Sequence, residues 1–170
     1  MIVSFLSVVA AALLVAVDQW IKYWATAVLQ PLGAMTLIPG VVELRYFLND
    51  GMAFSMLAGK QTLLVLMTSA MLLCVLVLLV VRKMCLWERI SWTLILGGGI
   101  GNLIDRVLNG VVVDYVNFLF VDFAVFNFAD ICITTGVVML VLWVLYDSYK
   151  KDKEEKVTRQ QQGRSPDEAN

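Results

Sequence analysis

Residues 61–81, QTLLVLMTSAMLLCVLVLLVV, form a run without one charged side chain. Crossing the hydrocarbon core of a bilayer takes about 20 mainly apolar residues, so this stretch predicts a membrane helix. Three further segments come close to that description: 2–25, whose charges Asp18 and Lys22 lie near its end; 89–108, RISWTLILGGGIGNLIDRVL; and 129–149, ADICITTGVVMLVLWVLYDSY. Backbone facing lipid must satisfy its own hydrogen bonds, so each segment is read as a helix. The expected fold is an all-α integral membrane protein with four transmembrane helices. The composition agrees, with 60% apolar residues and a mean hydropathy of +0.80, whereas a soluble domain is nearer half apolar. Segment 2–25 has no basic leader and only Ala10–Ala12 as a weak cleavage signal, so a retained helix is expected rather than a removed signal peptide.

Residues 26–60 separate the first two spans and are punctuated by Pro31, Gly33, Pro39 and Gly40. VVELRYF within them alternates loosely and reads as a short strand. The segment is too apolar for a free loop and is expected to form a small sheet on the membrane surface. Residues 1–149 read as one membrane domain, and the charged tail 150–170 as a solvated helix end grading into disorder. Lys and Arg crowd the 82–89 loop and this tail, whereas Arg45, Lys60 and Arg106 are the few on the other side. The positive-inside rule then puts both termini in the cytoplasm. On that topology the charged and amide side chains gather at the outer helix ends, which makes a site there.

Composition excludes several chemistries. There is no His, which removes His-based triads, Cys–His dyads and His-ligated zinc. Cys74, Cys85 and Cys132 are too scattered for a metal site or an expected disulfide, so no metal and no cofactor are predicted. A formal net charge of −1 gives no reason to expect a nucleic-acid partner.

The polar motifs each have a bland reading. Asp18 and Lys22 stand at i, i+4 in the favourable order, which suits an ion pair anchoring a helix end. In GGGIGNLIDR, residues 97–106, Gly97 and Gly101 let another helix approach closely, but the endings of the phosphate-binding loops are missing. Asn102, Asp105 and Arg106 share one helix face; Arg106 alone has the reach to snorkel to the interface. NDGMAFS, 49–55, begins as turn chemistry.

The stretch GVVVDYVNFLFVDFAVFNFADI, 110–131, holds Asp114, Asp122 and Asp130 with no basic residue among them. An ionised carboxylate alone in an apolar site costs several kcal/mol, so it pairs or takes a proton. Two carboxyls brought together share one proton, and one then serves as base while the other is the acid. Asp114, shortly after the third span, and Asp130, opening the fourth, are the candidate pair; Asp122 reads as a solvated rim charge. On pattern alone an aspartyl hydrolase, a proton-coupled transporter and a non-enzymatic assembly subunit all stay open.

Taken together, DQWIK (18–22), NDGMAFS (49–55), GGGIGNLIDR (97–106), VVVDYVNF (111–118) and FNFAD (126–130) resemble signal peptidase II, the lipoprotein signal peptidase of bacteria. The likeness runs from about residue 10 to 147. It implies Asp114 and Asp130 as catalytic residues, with Asn49, Asn102, Arg106 and Asn127 lining the substrate site. Asp18 and Lys22 match a further block of the family and are read, with Asp105 and Gly101, as supporting residues. The implied reaction is hydrolysis of a signal peptide just before a diacylglyceryl-modified Cys. It would take place at the outer face of the bacterial cytoplasmic membrane, with prolipoproteins and membrane lipids as partners and a monomer as the expected state. Asn117 departs from the pattern, because many relatives are expected to carry an acid there.

Overall fold

The computed structural model describes residues 2–51 and 60–162, with side chains through residue 159. The chain runs α1 (Ile2–Leu32), β1 (Ala34–Ile38), β2 (Val42–Asn49), α2 (Gln61–Val81), α3 (Leu86–Asn109), β3 (Val112–Phe118) and α4 (Phe128–Gln162). Three of the helices, α1, α2 and α4, are long and apolar enough to cross a membrane. The side chains they turn outward are apolar, including Leu13, Leu66, Leu73, Val141 and Leu142, which is the surface a lipid solvent selects. The third expected segment, α3, is a helix but does not meet the same apolar standard. It carries Glu88, Arg89, Asp105 and Arg106 and a cluster of glycines. Its position explains how it keeps them: α3 packs against α1, α2 and α4 alike.

Glycines make that central position possible. Successive helical residues point about 100° apart, and Gly97, Gly98 and Gly99 accordingly face three different neighbours. A Cβ on Gly97 would lie 2.9 Å from the Leu14 Cβ of α1, one on Gly98 would collide with the Ala129 carbonyl of α4, and one on Gly99 would meet Leu72 of α2. Gly101 lies against the Asp18 carboxylate, and Gly136 returns the contact from α4, where a Cβ would sit 2.6 Å from the Ser91 carbonyl oxygen. The expected Gly97/Gly101 close approach is therefore real and faces α1, but it is half of the arrangement.

The sheet differs from expectation. VVELRYF does form most of β2, yet the sheet is not confined to residues 26–60. It has three antiparallel strands in the order β1-β2-β3, and β3 comes from the segment after α3. The sequence hides β3 because Val112, Val113, Asp114 and Tyr115 are all buried, so the alternation that marks a half-exposed strand is lost. Ala25 and Leu29 of α1 pack with Val113 and Tyr115 in one apolar cluster, and Ala11, Leu72, Val75, Leu79 and Leu96 form a second between α1, α2 and α3.

Helix ends also move. α1 continues past residue 25 and through Pro31, stopping where Gly33, at φ 81°, donates its N–H to the Leu29 carbonyl at 2.8 Å. The left-handed conformation there is one that glycine adopts without strain. α3 begins at Leu86, so the 82–89 loop shrinks, and Arg89 lies inside the helix with Nη1 donating to the Leu79 carbonyl at 3.1 Å. α4 carries the helix of the tail further than expected, supported by Lys151–Asp147 at 2.7 Å and Lys156–Asp152 at 2.6 Å, pairs at the helical i, i+4 spacing.

Candidate active site

The ends of α1, α3 and α4 and the strands β2 and β3 meet at one end of the bundle, and the polar side chains collect there. Asp114 is delivered by β3. Phe47 of β2 is its cross-strand partner, and Asn49 pairs with Val112, which makes Asn49 and Asp114 diagonal neighbours on one face of the sheet. Asn49 Nδ2 accordingly donates to Asp114 Oδ2 at 2.9 Å. The Asn49 oxygen is occupied by the backbone N–H of Gly51 at 2.9 Å, an Asx-type turn. Met52–Ser55 of the expected NDGMAFS block lie outside the described residues.

Asp130 stands in the first turn of α4. Its backbone N–H donates to Asn127 Oδ1 at 3.0 Å, and its own Oδ2 accepts the Asn127 backbone N–H at 3.1 Å. This reciprocal arrangement is a capping box with Asn127 as the cap. The amide of Asn127 then reaches Asp114 Oδ1 at 2.6 Å and Asn102 Oδ1 at 3.1 Å. Asn102 Nδ2 closes the ring by donating to Asp130 Oδ1 at 2.8 Å. Asn127 thus holds both aspartates, and Asn102 braces Asp130 and Asn127.

Asp114 is 1% exposed. Burial pushes its carboxyl up to about 7, with the neighbouring Asp130 charge adding to the rise and the Asn49 and Asn127 amides opposing it. An acid kept near neutrality in this way is suited to proton transfer. Asp122, expected as a rim charge, is exposed.

Arg106 reaches from α3 to donate Nη2 to the Gly51 carbonyl at 2.9 Å. Its Nε is buried without a partner among the described residues. Asp114, Asp130, Asn49, Asn102 and Arg106 all line a cavity of about 600 Å³, whose remaining wall is mainly apolar, with Leu64, Met71, Phe126 and Ile131. The donors present and the apolar wall suit a ligand with a peptide portion and a greasy portion.

Beneath the aspartates, Asp18 and Lys22 form the expected ion pair, at 2.9 Å, but it is not a surface anchor. Lys22 is 3% exposed and makes a second ion pair with Asp105 Oδ2 at 2.9 Å. Asp18 Oδ1 accepts the backbone N–H of Ala129 at 3.1 Å, tying α1 to the first turn of α4. Gln19 was not singled out from the sequence, although it stands inside the DQWIK block. Its Nε2 donates to Asp105 Oδ1 at 3.0 Å and to the Gly101 carbonyl at 3.2 Å. A Gln within a membrane span is itself a signal, since an amide there needs a partner. Asn117 turns away from the aspartates and donates to Glu43 at 2.8 Å.

The family model described as Signal peptidase (SPase) II matches residues 10–146. A lipoprotein signal peptidase of Streptococcus thermophilus (strain CNRZ 1066) is 43% identical over 135 residues, covering 79% of this chain and 88% of that protein. A lipoprotein signal peptidase of Streptococcus pyogenes serotype M3 (strain ATCC BAA-595 / MGAS315) is 39% identical over 138 residues, covering 81% and 91%. A bacterial membrane enzyme solved by the in meso method at 2.3 Å resolution superposes with a TM-score of 0.79 at 31% identity, over 85% of this chain and 90% of that one.

Proposed function

This chain belongs to the signal peptidase II family, and from that premise we propose that it cleaves diacylglyceryl-modified prolipoproteins just before the lipidated Cys. It is a membrane hydrolase of the aspartic type; the Asp114/Asp130 dyad and the cleavage position are the finer reading. The observation that carries them is Asn127, hydrogen-bonded to both aspartates while both carboxyls line one cavity.

The environments divide the labour. Both aspartates accept N–H donors on both oxygens, but Asp130 sits at the positive end of a helix, where a negative charge is favoured. Asp114 is buried on a strand, which favours its protonated form. Asp130 takes a proton from a water as the water oxygen attacks the scissile carbonyl carbon. Asp114 gives its proton to the carbonyl oxygen. As the gem-diol intermediate collapses, the proton on Asp130 passes to the leaving nitrogen of the lipidated Cys and Asp114 recovers its own from the hydroxyl formed on the former carbonyl oxygen. Arg106 Nε and the Asn49 amide are donors for the peptide of the substrate, and the apolar wall receives its lipid and signal sequence.

The reading extends to the membrane. α3 serves as a fourth span shielded by the other three, and the sheet lies at the periplasmic surface of the bacterial cytoplasmic membrane. The Lys/Arg bias puts both termini in the cytoplasm. One chain encloses the cavity, which supports a monomer. The polar residues gather at one end of the bundle rather than across it, and this disfavours the transporter reading.

A gel-shift cleavage assay tests the proposal. Purified protein should cut a diacylglyceryl-modified precursor and spare its unlipidated form, and Asp114→Asn and Asp130→Asn should each abolish the cut. Cleavage surviving either substitution would remove that aspartate from the chemistry.

A further inference from the structure

Lys22 is a buried cation one amide away from the proposed chemistry, and the mechanism above leaves it without a task. Its ammonium has three N–H donors, and each has a separate acceptor: Asp18 Oδ2 at 2.9 Å, Asp105 Oδ2 at 2.9 Å and Asn102 Oδ1 at 2.8 Å. Asn102 can occupy the same space in two ways, because its oxygen and its NH2 group exchange places on a half-turn of the amide. In one orientation Nδ2 donates to Asp130 Oδ1; in the other the oxygen confronts that carboxylate. An ammonium cannot accept a hydrogen bond, so whichever amide atom faces Lys22 has to be the oxygen. Asn127 Nδ2 also donates to that oxygen, at 3.1 Å, with its own orientation set by the Asp130 backbone N–H on Asn127 Oδ1. It is a neutral donor shared with the Val113 carbonyl and Asp114 Oδ1, whereas the ammonium's shorter bond is charge-assisted.

Given the dyad proposed above, we infer that Lys22 is a positioning residue for Asp130: its donor-only ammonium locks the Asn102 amide in the one orientation that gives Asp130 a hydrogen bond. The Asp18 and Asp105 carboxylates hold the ammonium in place from α1 and α3, and Gln19 fastens Asp105 in turn. The cluster is thus more than a helix tie. It passes a fixed hydrogen-bond direction from the α1–α3 contact to the carboxylate that takes the proton from water.

The test is a double-mutant cycle on the full-length protein in detergent, with a diacylglyceryl-modified precursor as substrate and kcat separated from KM. Lys22→Met should lower kcat by about 10²-fold, the scale of a misplaced reacting group, and leave KM unchanged. Added to Asn102→Ala, the same substitution should cost nothing further, since its only route is through Asn102. Lys22→Arg, also donor-only, should recover about tenfold of the lost kcat, or 1.36 kcal/mol in barrier terms. Equal losses in the wild-type and Asn102→Ala backgrounds would overturn the inference, as would a folded Lys22→Arg no faster than Lys22→Met. If Lys22→Met yields no folded protein, Lys22→Met/Asp105→Asn takes its place against Asp105→Asn alone. That pair preserves the excess of one buried carboxylate, and the same outcomes decide. Asp114→Asn and Asp130→Asn run beside these variants. Cleavage by either would sink the dyad, whereas two inactive aspartate variants with a fully active Lys22→Met would sink only the role of Lys22.

Discussion

Asn127 and Asp130 cap each other across three residues: the Asp130 backbone N–H donates to the Asn127 side chain at 3.0 Å while the Asn127 backbone N–H donates to the Asp130 carboxylate at 3.1 Å. The same Asn127 amide holds Asp114 at 2.6 Å. One side chain therefore starts α4 and couples the two aspartates, and substitutions can separate those tasks. Asn127→Ser keeps a capping oxygen and loses the amide donor. It should retain near-native thermal stability and lose most cleavage. Asn127→Ala should lose activity and also about 1 kcal/mol of stability, the usual worth of a helix cap. Melting curves and precursor cleavage on both variants check this; an active Asn127→Ser would refute the coupling.

Asp114 should impose a pH dependence of known sign. Its carboxyl rises from 3.8 to about 7 on burial, so the folded protein binds a proton that the unfolded chain has released between those values. Stability therefore falls as pH rises through that window, and Asp114→Asn should flatten the slope measured by thermal unfolding.

With Asp114 as the acid of the pair, cleavage should decline as pH passes about 7, where its proton is lost. The Asn49 amide favours the charged form of Asp114, so Asn49→Leu should move that decline to higher pH. A pH–rate profile that shifts downward instead would contradict the assignment.

The glycines at the contacts of α3 with α4 and α2 should be unequal. Gly136→Ala puts a methyl 2.6 Å from the Ser91 carbonyl oxygen, and Gly98→Ala drives one into the Ala129 carbonyl. Backbone cannot yield easily, and overpacking of this kind costs about 1–3 kcal/mol. Gly99→Ala meets only the tip of the Leu72 side chain, which can turn aside. Thermal unfolding in detergent should rank Gly99→Ala as the mildest of the three.

The tail should be dispensable for chemistry. Its ion pairs, such as Lys150–Glu154 at 3.8 Å and Lys156–Asp152 at 2.6 Å, are exposed, and exposed pairs contribute little. A chain truncated after Tyr149 should cleave the lipidated precursor as the full chain does; loss of kcat in a folded truncation would assign the tail a role.

The apolar runs at 61–81 and in α1 and α4 were legible because length and hydropathy act locally: no partner is needed to make such a segment choose a helix in lipid. Asp114 and Asp130 stood out for a related reason, since an unneutralised carboxylate in an apolar stretch demands an explanation before any fold is known. α3 was harder to classify as a span, because its suitability depends on which neighbours cover its polar face. β3 escaped notice because burial on both faces erased the period-2 pattern, and that burial is supplied by α1 and the bundle rather than by the strand.

Sequence by itself determined the solvent of this protein and the residue types available to it: apolar helices, unneutralised acids, amides in place of histidine. Spacing even paired Asp18 with Lys22, because i and i+4 meet on any helix. Tertiary structure alone decided what that pair touches. Lys22 and Asn102 lie 80 positions apart, and Asn49 and Asp114 lie 65 apart. No local rule links such residues; only helix packing allowed by bare glycine backbones, and the register of β2 on β3, brings their atoms within hydrogen-bond reach. A hydrogen bond lives or dies over tenths of an ångström, and that precision belongs to the folded bundle.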